Sequence, residues 1–552
     1  MKTQPPVSSA GWNKKALALV SLVVLGLVVA LAFSPTFTAD FVNWDDDRFF
    51  RKNPLFAGPV ADYIRAAIGS VQFEAYQPVH LLSYLPDRLF WSESPNFFHI
   101  LNVCIFFFDC ALLLALVRRH AAWWAALAAT LIFAVHPLRV ESVAWITARK
   151  DLVALFFVLL VLLIEDRISA QKASSAPSTR SLRAVSIVLT GIAILAKSNS
   201  VVIPFLLLAN LRWLSFESWR ESIKRVIPHI LISCASSILV IKLWTDHKLI
   251  LPSRPLAFPL DVAGTVGFYL EKVLFPSSLS PVYASIVPHQ IALGVAWLAA
   301  FGLLLYFWKK LPRWGRIAAF VFHAALLPTV NLIPMYFRFA DRYALFACVG
   351  IVVPMAIAFD EFGSTIRRKQ TITFGVAFLI LVLAIQSREL SASWRSSLSL
   401  WTHATAVQPT AFYGHLKLAE TFREEGNKSE AVKAYLRASM FTPRSAIALA
   451  GLFVSSCELA EDRGSVSKGE CLRWEAALKK TTSQRELQEL INKVESGGCE
   501  RCAQTLLWLA LNMFPPSDSE LIQLAQAAAA KKNQMALEIY LRELSTRTPE
   551  KR

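Results

Sequence analysis

Apolar runs of roughly 15–20 residues recur from Ala16 to about residue 386, with only short polar breaks between them. Such a run matches the length of helix that crosses a bilayer. Inside a bilayer every backbone polar group must be satisfied within its own segment. The chain therefore reads as all-α, a polytopic helical membrane protein. About eleven spans are expected, at residues 16–34, 97–117, 121–136, 144–164, 183–198, 199–213, 226–243, 290–308, 317–335, 343–359 and 371–386. Lys14-Lys15 and the run after them read as a retained first anchor, because the run is long for a signal peptide and many spans follow. Residues 263–275 read as a peripheral or re-entrant helix. Residues 1–386 form the expected membrane domain, and residues 387–552 have the mixed polarity of a separate helical domain.

The 57 Lys and Arg against 40 Asp and Glu give a net charge of +17. These cations gather at 118–119, 167–183, 212–225, 309–316 and 367–369, as the positive-inside rule requires. That distribution argues against nucleic acid as the partner. It puts the intervening breaks, 35–96, 137–143, 244–289 and 336–342, on the outer face with the C-terminal domain. Residues 169–180, rich in Ser, Ala and Pro, read as a flexible linker.

In the C-terminal part, Trp401 and Tyr435, and Pro409 and Pro443, are both 34 residues apart, which is the tetratricopeptide period. Residues 416–443 read as one repeat and 524–549 as a divergent second. Such repeats offer a concave surface to a peptide or partner. Cys457, Cys471, Cys499 and Cys502 also lie here. Disulfides are expected in an exported domain, a zinc site is the other reading, and spacing alone does not choose a pairing. Cys104, Cys110, Cys234 and Cys348 fall in apolar spans and read as packing residues.

Two features of the outer breaks carry chemistry. "FVNWDDDRFF", residues 41–50, sets Asp45, Asp46 and Asp47 just past the first span. Adjacent carboxylates raise each other's pKa, which suits a general base taking a proton from a hydroxyl. A divalent metal at Asp45 and Asp46 would need further ligands, with His80, His136 and Glu141 as candidates. The other reading is an acidic turn paired with Arg48, Arg51 and Lys52. The second feature is a set of outer-face cations close to spans: Arg139, Arg149, Lys150, Lys197, Lys272 and Arg342. Cations against the topological trend need an acidic partner or an anionic ligand such as a lipid phosphate. A base beside phosphate-holding cations fits transfer of a sugar from a lipid phosphate to an acceptor hydroxyl, with inversion at the sugar.

"FVNWDDDRFFRKNP", "YQPVHLLSYLPDRLFW", "FFHILNV", "HPLRVESVAWITARKD", "YLEKVLFPSSLSPVY" and "ADRYALFACVG" occur in this order. Together with the repeat tail they resemble the transmembrane and tetratricopeptide-repeat containing O-mannosyltransferases and their bacterial relatives. The resemblance implies a C-type membrane glycosyltransferase fold and a polyprenyl-phosphate sugar as donor, with mannose favoured and no firm cofactor. It makes Asp45 or Asp46 the catalytic base. Arg342, Lys272, Arg149 and Lys150 become candidates for the donor phosphate, and His80, His136, Arg139 and Glu141 line the site. It implies a multi-pass protein, read as one of a bacterial inner membrane, with the site and repeats on the periplasmic or extracellular face and a protein or glycan as acceptor. The competing readings are a non-catalytic scaffold that recruits envelope partners through its repeats, and a transporter. The short, irregular tail departs from the long regular arrays of animal members. Asn210 stands where relatives often have an acid, and the sequon at Asn427 falls in a repeat turn.

Overall fold

The structure, a computed structural model, describes residues 14–72, 75–91, 94–171, 178–246, 258–330, 332, 338–442, 445–462, 467, 474, 490–494, 499–513, 516–530 and 534–547. Regular structure among the described residues is helical, apart from an isolated bridge between Gln72 and Ala75. Contacts divide the chain into two units, residues 1–400 and 401–552.

In the first unit we label α1 Lys14–Phe33, α2 Pro95–Val117, α3 Trp123–Ala134, α4 Arg149–Ala170, α5 Ser178–Ala196, α6 Trp219–Asp246, α7 Phe258–Leu274, α8 Pro288–Tyr306, α9 Arg313–Leu326, α10 Leu345–Phe362 and α11 Ile366–Ser393. Among the described residues, seven helices are long and apolar enough to cross a membrane. The number is eight if α3 and the segment Pro137–Ala144, bent by 59° from it, count as one span. This is an all-α, multi-pass membrane protein, and several of the apolar runs fold as shorter, bent or interior helices among the described residues.

The difference has local causes. α4 has the length, but Arg149, Lys150 and Asp151 open it and Glu165, Asp166 and Arg167 close it, while most of its middle is buried. It is an interior helix of the bundle. Residues 198–214 break into three short turns of different pitch. α9 has only 14 residues and ends before Pro328. The bend after α3 falls at His136, whose extended backbone is the conformation favoured before a proline.

Charge segregates to the two ends of the bundle. At one end Arg119 and His120 pair with Asp166, Arg225 with Glu165 and Glu217, and the Arg313 side chain donates to the Trp213 carbonyl at 2.8 Å. Asp360 accepts the Ala122 N–H at 3.0 Å. The basic breaks therefore meet one another. The breaks carrying the aspartates and the remaining cations meet at the opposite end of the same helices.

α7 runs antiparallel along α8 at very close range. A Cβ at Gly267 would lie 1.9 Å from the Gln290 carbonyl oxygen, and one at Gly294 would lie 1.7 Å from that of Ala263. Small residues allow such backbone approach. The contact sets Glu271 and Lys272 beside the start of α8, at the aspartate end.

That end is closed by an aromatic plug. Phe41, Phe49, Phe50, Phe56, Tyr84 and Phe98 share one buried cluster, with Phe50 5.1 Å from Phe98 and 4.9 Å from Tyr84 between ring centroids. Arg149 fastens it. Its guanidinium pairs bidentately with Asp87, and both side chains are fully buried. Nε donates to Asn102 Oδ1 at 2.6 Å, and the terminal nitrogens reach the Ser83 and Phe98 carbonyls at 3.1 and 3.0 Å.

In the second unit α12 Phe412–Glu424 and α13 Lys428–Phe441 form the expected helical pair. Gly426 supplies the positive φ of 79° at their turn, and the Asn427 side chain accepts from the Glu430 N–H, so the sequon asparagine caps a helix. α14 Ala446–Asp462, α15 Glu500–Met513, α16 Asp518–Ala530 and α17 Gln534–Arg547 follow, the last two covering most of the second repeat.

Removing one member of a buried ion pair leaves the other charge uncompensated, at a cost of about 3–5 kcal/mol. Asp87→Asn is therefore expected to lower the melting temperature of the detergent-purified protein sharply. Asp47→Asn, whose partner Lys52 is 67% exposed, should leave it nearly unchanged.

Candidate active site

The three adjacent aspartates have three different environments. Asp47 reaches Lys52 at 3.1 Å. This is a pair of the kind expected for an acidic turn. The turn itself is wide: the Lys52 N–H closes onto the Asp47 carbonyl at 2.8 Å, five residues back. Such π-type turns are frequent at functional sites. Here the turn sends Phe49 and Phe50 into the aromatic plug and leaves the aspartates on the other side.

Asp46 is fully buried. Oδ2 accepts the Val42 N–H at 3.0 Å, and Oδ1 accepts the Thr147 N–H at 3.2 Å and the Thr147 hydroxyl at 2.5 Å. Burial pushes its carboxyl up from 3.8 to about 7, against the lowering by Thr147 and Val42, with a small further rise from Asp45. Both oxygens are occupied, so Asp46 joins the aspartate loop to the turn before α4.

Asp45 is half-buried, and its charge acts on both Lys150 and Arg342. Lys150 lies 6.0 Å from the Trp145 ring and makes no ion pair among the described residues. Arg342 stacks over the same ring at 5.0 Å. Its side chain pairs with Glu141, and its backbone N–H donates to Glu141 Oε2 at 2.8 Å. Lys197 pairs with Asp151, sits 5.7 Å from the Tyr343 ring and lies within the fields of Lys150 and Arg342. Trp145 is itself packed between Trp44 and Trp394, at 6.3 and 6.2 Å. Lys150, Lys197 and Arg342 thus converge on one patch with Asp45 and Glu141, although their segments are far apart in sequence.

The other expected residues play different parts. Arg149 uses all five of its N–H donors within the protein and has none left for a phosphate. Lys272 bonds Glu271 Oε1 and the Ser277 carbonyl at 3.0 and 2.9 Å. Through Asp341, which senses its charge and accepts the Tyr283 hydroxyl at 2.6 Å, it supports the segment before Arg342. His80 is buried, 3.0 Å from the Tyr84 hydroxyl. Burial, together with Lys150 and Arg149, holds its imidazole well below the usual range, so it is neutral. The His136 ring contacts the Val273 carbonyl at 3.0 Å and accepts the Leu138 N–H at 3.3 Å, bracing α7 against the bend. Arg139 is fully buried and stacked on Phe133 at 5.1 Å.

The residues around Asp45 and Asp46 do not fit a divalent cation. Both Asp46 oxygens already hold N–H and O–H donors, His80 and His136 are engaged in bracing contacts, and Glu141 is engaged by Arg342. A hard cation wants six or more oxygen ligands. Thr147, Asn102 and Asp87 belong to this architecture without having been singled out in the sequence. Their signal was weak: single polar residues whose partners lie far along the chain.

An apolar cavity of about 400 Å³ runs between α7, α8, α9 and α10. Leu270 and Val273 line it near Lys272, and Leu304, Leu311 and Trp314 line it towards the basic end.

No family model matches the chain. Among curated proteins it is similar to protein O-mannosyl-transferase TMTC4 of Mus musculus, 22% identical over 488 residues, covering 75% of this chain and 65% of that protein. TMTC4 of Homo sapiens is likewise 22% identical over 487 residues, with the same shares. A protein O-mannosyl-transferase of Caenorhabditis elegans is 21% identical over 460 residues, 78% of this chain and 63% of its own length. The match spans just under two thirds of the length of these relatives. They are of the family that the loop motifs resemble.

The folded chain keeps the Asp46 proton up to about pH 7, whereas an unfolded chain releases it near 3.8. Between these values folding favours the protonated form. This stability is fully present below about 3.8 and is lost as pH rises through about 7. A melting temperature that falls over this window is expected, with the fall reduced in Asp46→Asn. Thr147→Val removes a donor to the carboxylate and should extend the fall to higher pH, with its onset unchanged. A profile unchanged in both variants would contradict the assignment.

Proposed function

We propose that this protein is an integral-membrane glycosyltransferase that moves a sugar from a polyprenyl-phosphate donor to an acceptor hydroxyl on the non-cytoplasmic face, with inversion. The observation that carries the reading is the convergence of Asp45 with Lys150 and Arg342 at one end of the bundle. The names of the relatives favour mannose as the sugar and a protein as the acceptor. The repeats of the second unit are the natural place to hold such an acceptor.

Asp45 is the base, because Asp46 is fully buried and its carboxylate is held by Val42 and Thr147. Asp45 takes the acceptor proton as the hydroxyl oxygen attacks the anomeric carbon. The bond from that carbon to the phosphate oxygen breaks on the opposite face, and the lipid phosphate leaves as an anion. Lys150 and the outer nitrogens of Arg342 stabilise it as charge develops. Lys197 adds to the field, while Glu141 and Trp145 fix the Arg342 orientation. The apolar cavity beside Lys272 has the lining that a polyprenyl chain needs. The aspartate end lies opposite the basic breaks, which the positive-inside rule assigns to the cytoplasm.

Asp45→Asn is expected to lower turnover about a hundredfold to ten-thousandfold, the range of a lost general base. Turnover is read as sugar transfer from polyprenyl-phosphate mannose in purified protein. Parent-like turnover in that variant would remove the base assignment. Lys150→Met should raise KM for the lipid-linked donor more than KM for the acceptor. The reverse pattern would place the phosphate elsewhere.

A further inference from the structure

In the second unit three sulfur atoms meet in one core. Cys499 and Cys502 are joined by a disulfide. Cys457, on α14, places its Sγ 3.2 Å from Cys502 Sγ, on α15. All three are buried, at 2%, 4% and 0% exposure for Cys457, Cys499 and Cys502, within the cluster that includes Phe453, Leu506 and Leu507. Cys471 lies outside the described residues. The bonded pair is separated by three residues, whereas Cys457 and Cys502 are 45 apart. A bond between Cys499 and Cys502 constrains only one turn. A bond between Cys457 and Cys502 would fasten α14 to α15.

We propose that Cys457, Cys499 and Cys502 form a thiol–disulfide exchange site. The Cys457 thiolate attacks Cys502 Sγ. The Cys457–Cys502 bond forms, the Cys499–Cys502 bond breaks, and its electron pair leaves on Cys499 Sγ. The proton lost by Cys457 is balanced by the one Cys499 takes up. One disulfide exists before and after, so the step needs no oxidant or reductant. Thiolate attack on a neighbouring disulfide sulfur is the general route of such exchange. Cys499 is the favoured leaving group because it stands immediately before α15, where the positive end of the helix stabilises a thiolate. The second unit then exists in two covalent forms with the same atoms, one locally closed and one with two helices stapled together.

The test is disulfide mapping of the full-length protein in detergent. Samples held at pH 6 and pH 8 are quenched in acid, alkylated and digested without reduction, and linked peptides are quantified by mass spectrometry. The expected result is both a Cys499–Cys502 and a Cys457–Cys502 species, the second reached faster at pH 8. Cys499→Ser treated with oxidised glutathione should give Cys457–Cys502 alone. The proposal is overturned if Cys457 is alkylated quantitatively in the parent at both pH values. It is also overturned if Cys457 is found bonded to Cys471, or if the three sulfurs hold stoichiometric zinc as thiolates. The parent map decides even if the variant does not fold.

Discussion

The aspartate end depends on one buried cation. Arg149 ties together Asp87, Ser83, Phe98 and Asn102, drawn from the first loop and α2, and opens α4 itself. A guanidinium away from water is tolerated only when its donors are filled, and here the rigid fork meets a carboxylate bidentately. With that fork fixed, the aromatic plug has a defined wall, since Tyr84 stacks on Arg149 at 4.4 Å. The turn before α4 is then held where Thr147 can grip Asp46.

Division of labour among identical side chains follows. Asp45, Asp46 and Asp47 are chemically equal in the chain, and three successive positions leading into a wide helical turn face different surroundings. One meets solvent and a lysine, one meets three protein donors, and one meets a patch of cations. The outer cations divide in the same manner. Arg149 and Lys272 are spent on structure, and Lys150 and Arg342 face the aspartate. Lys150, Lys197 and Arg342 repel one another, and an anion entering the patch would relieve that repulsion.

Much of this was legible in the sequence. The quoted loop motifs named the segments that meet, and the cation list contained each member of the patch. What stayed hidden was allocation. The sequence offered Asp45 and Asp46 as equivalent and ranked Arg149 with the phosphate binders, because both judgments rest on partners distant along the chain. Thr147 is 101 residues from Asp46, and Glu141 is 201 from Arg342. Which apolar runs are interior and which are exposed stayed hidden for a related reason. A hydropathy run measures only local apolarity, and α4 is apolar because it is inside the protein, whereas α8 and α11 are apolar where the bundle leaves them exposed.

Local physics determined the helical class, the bilayer as solvent, the separation of basic and aspartate ends, and the helical pairing in the tail. Each follows from a pattern readable over about twenty residues, the length that crosses a bilayer. Tertiary structure alone decided which carboxylate is sealed, which arginine is consumed and which sulfur faces which. These outcomes depend on burial and on pairing between remote segments, and the free energy of a charge or thiol is set by its neighbours in space.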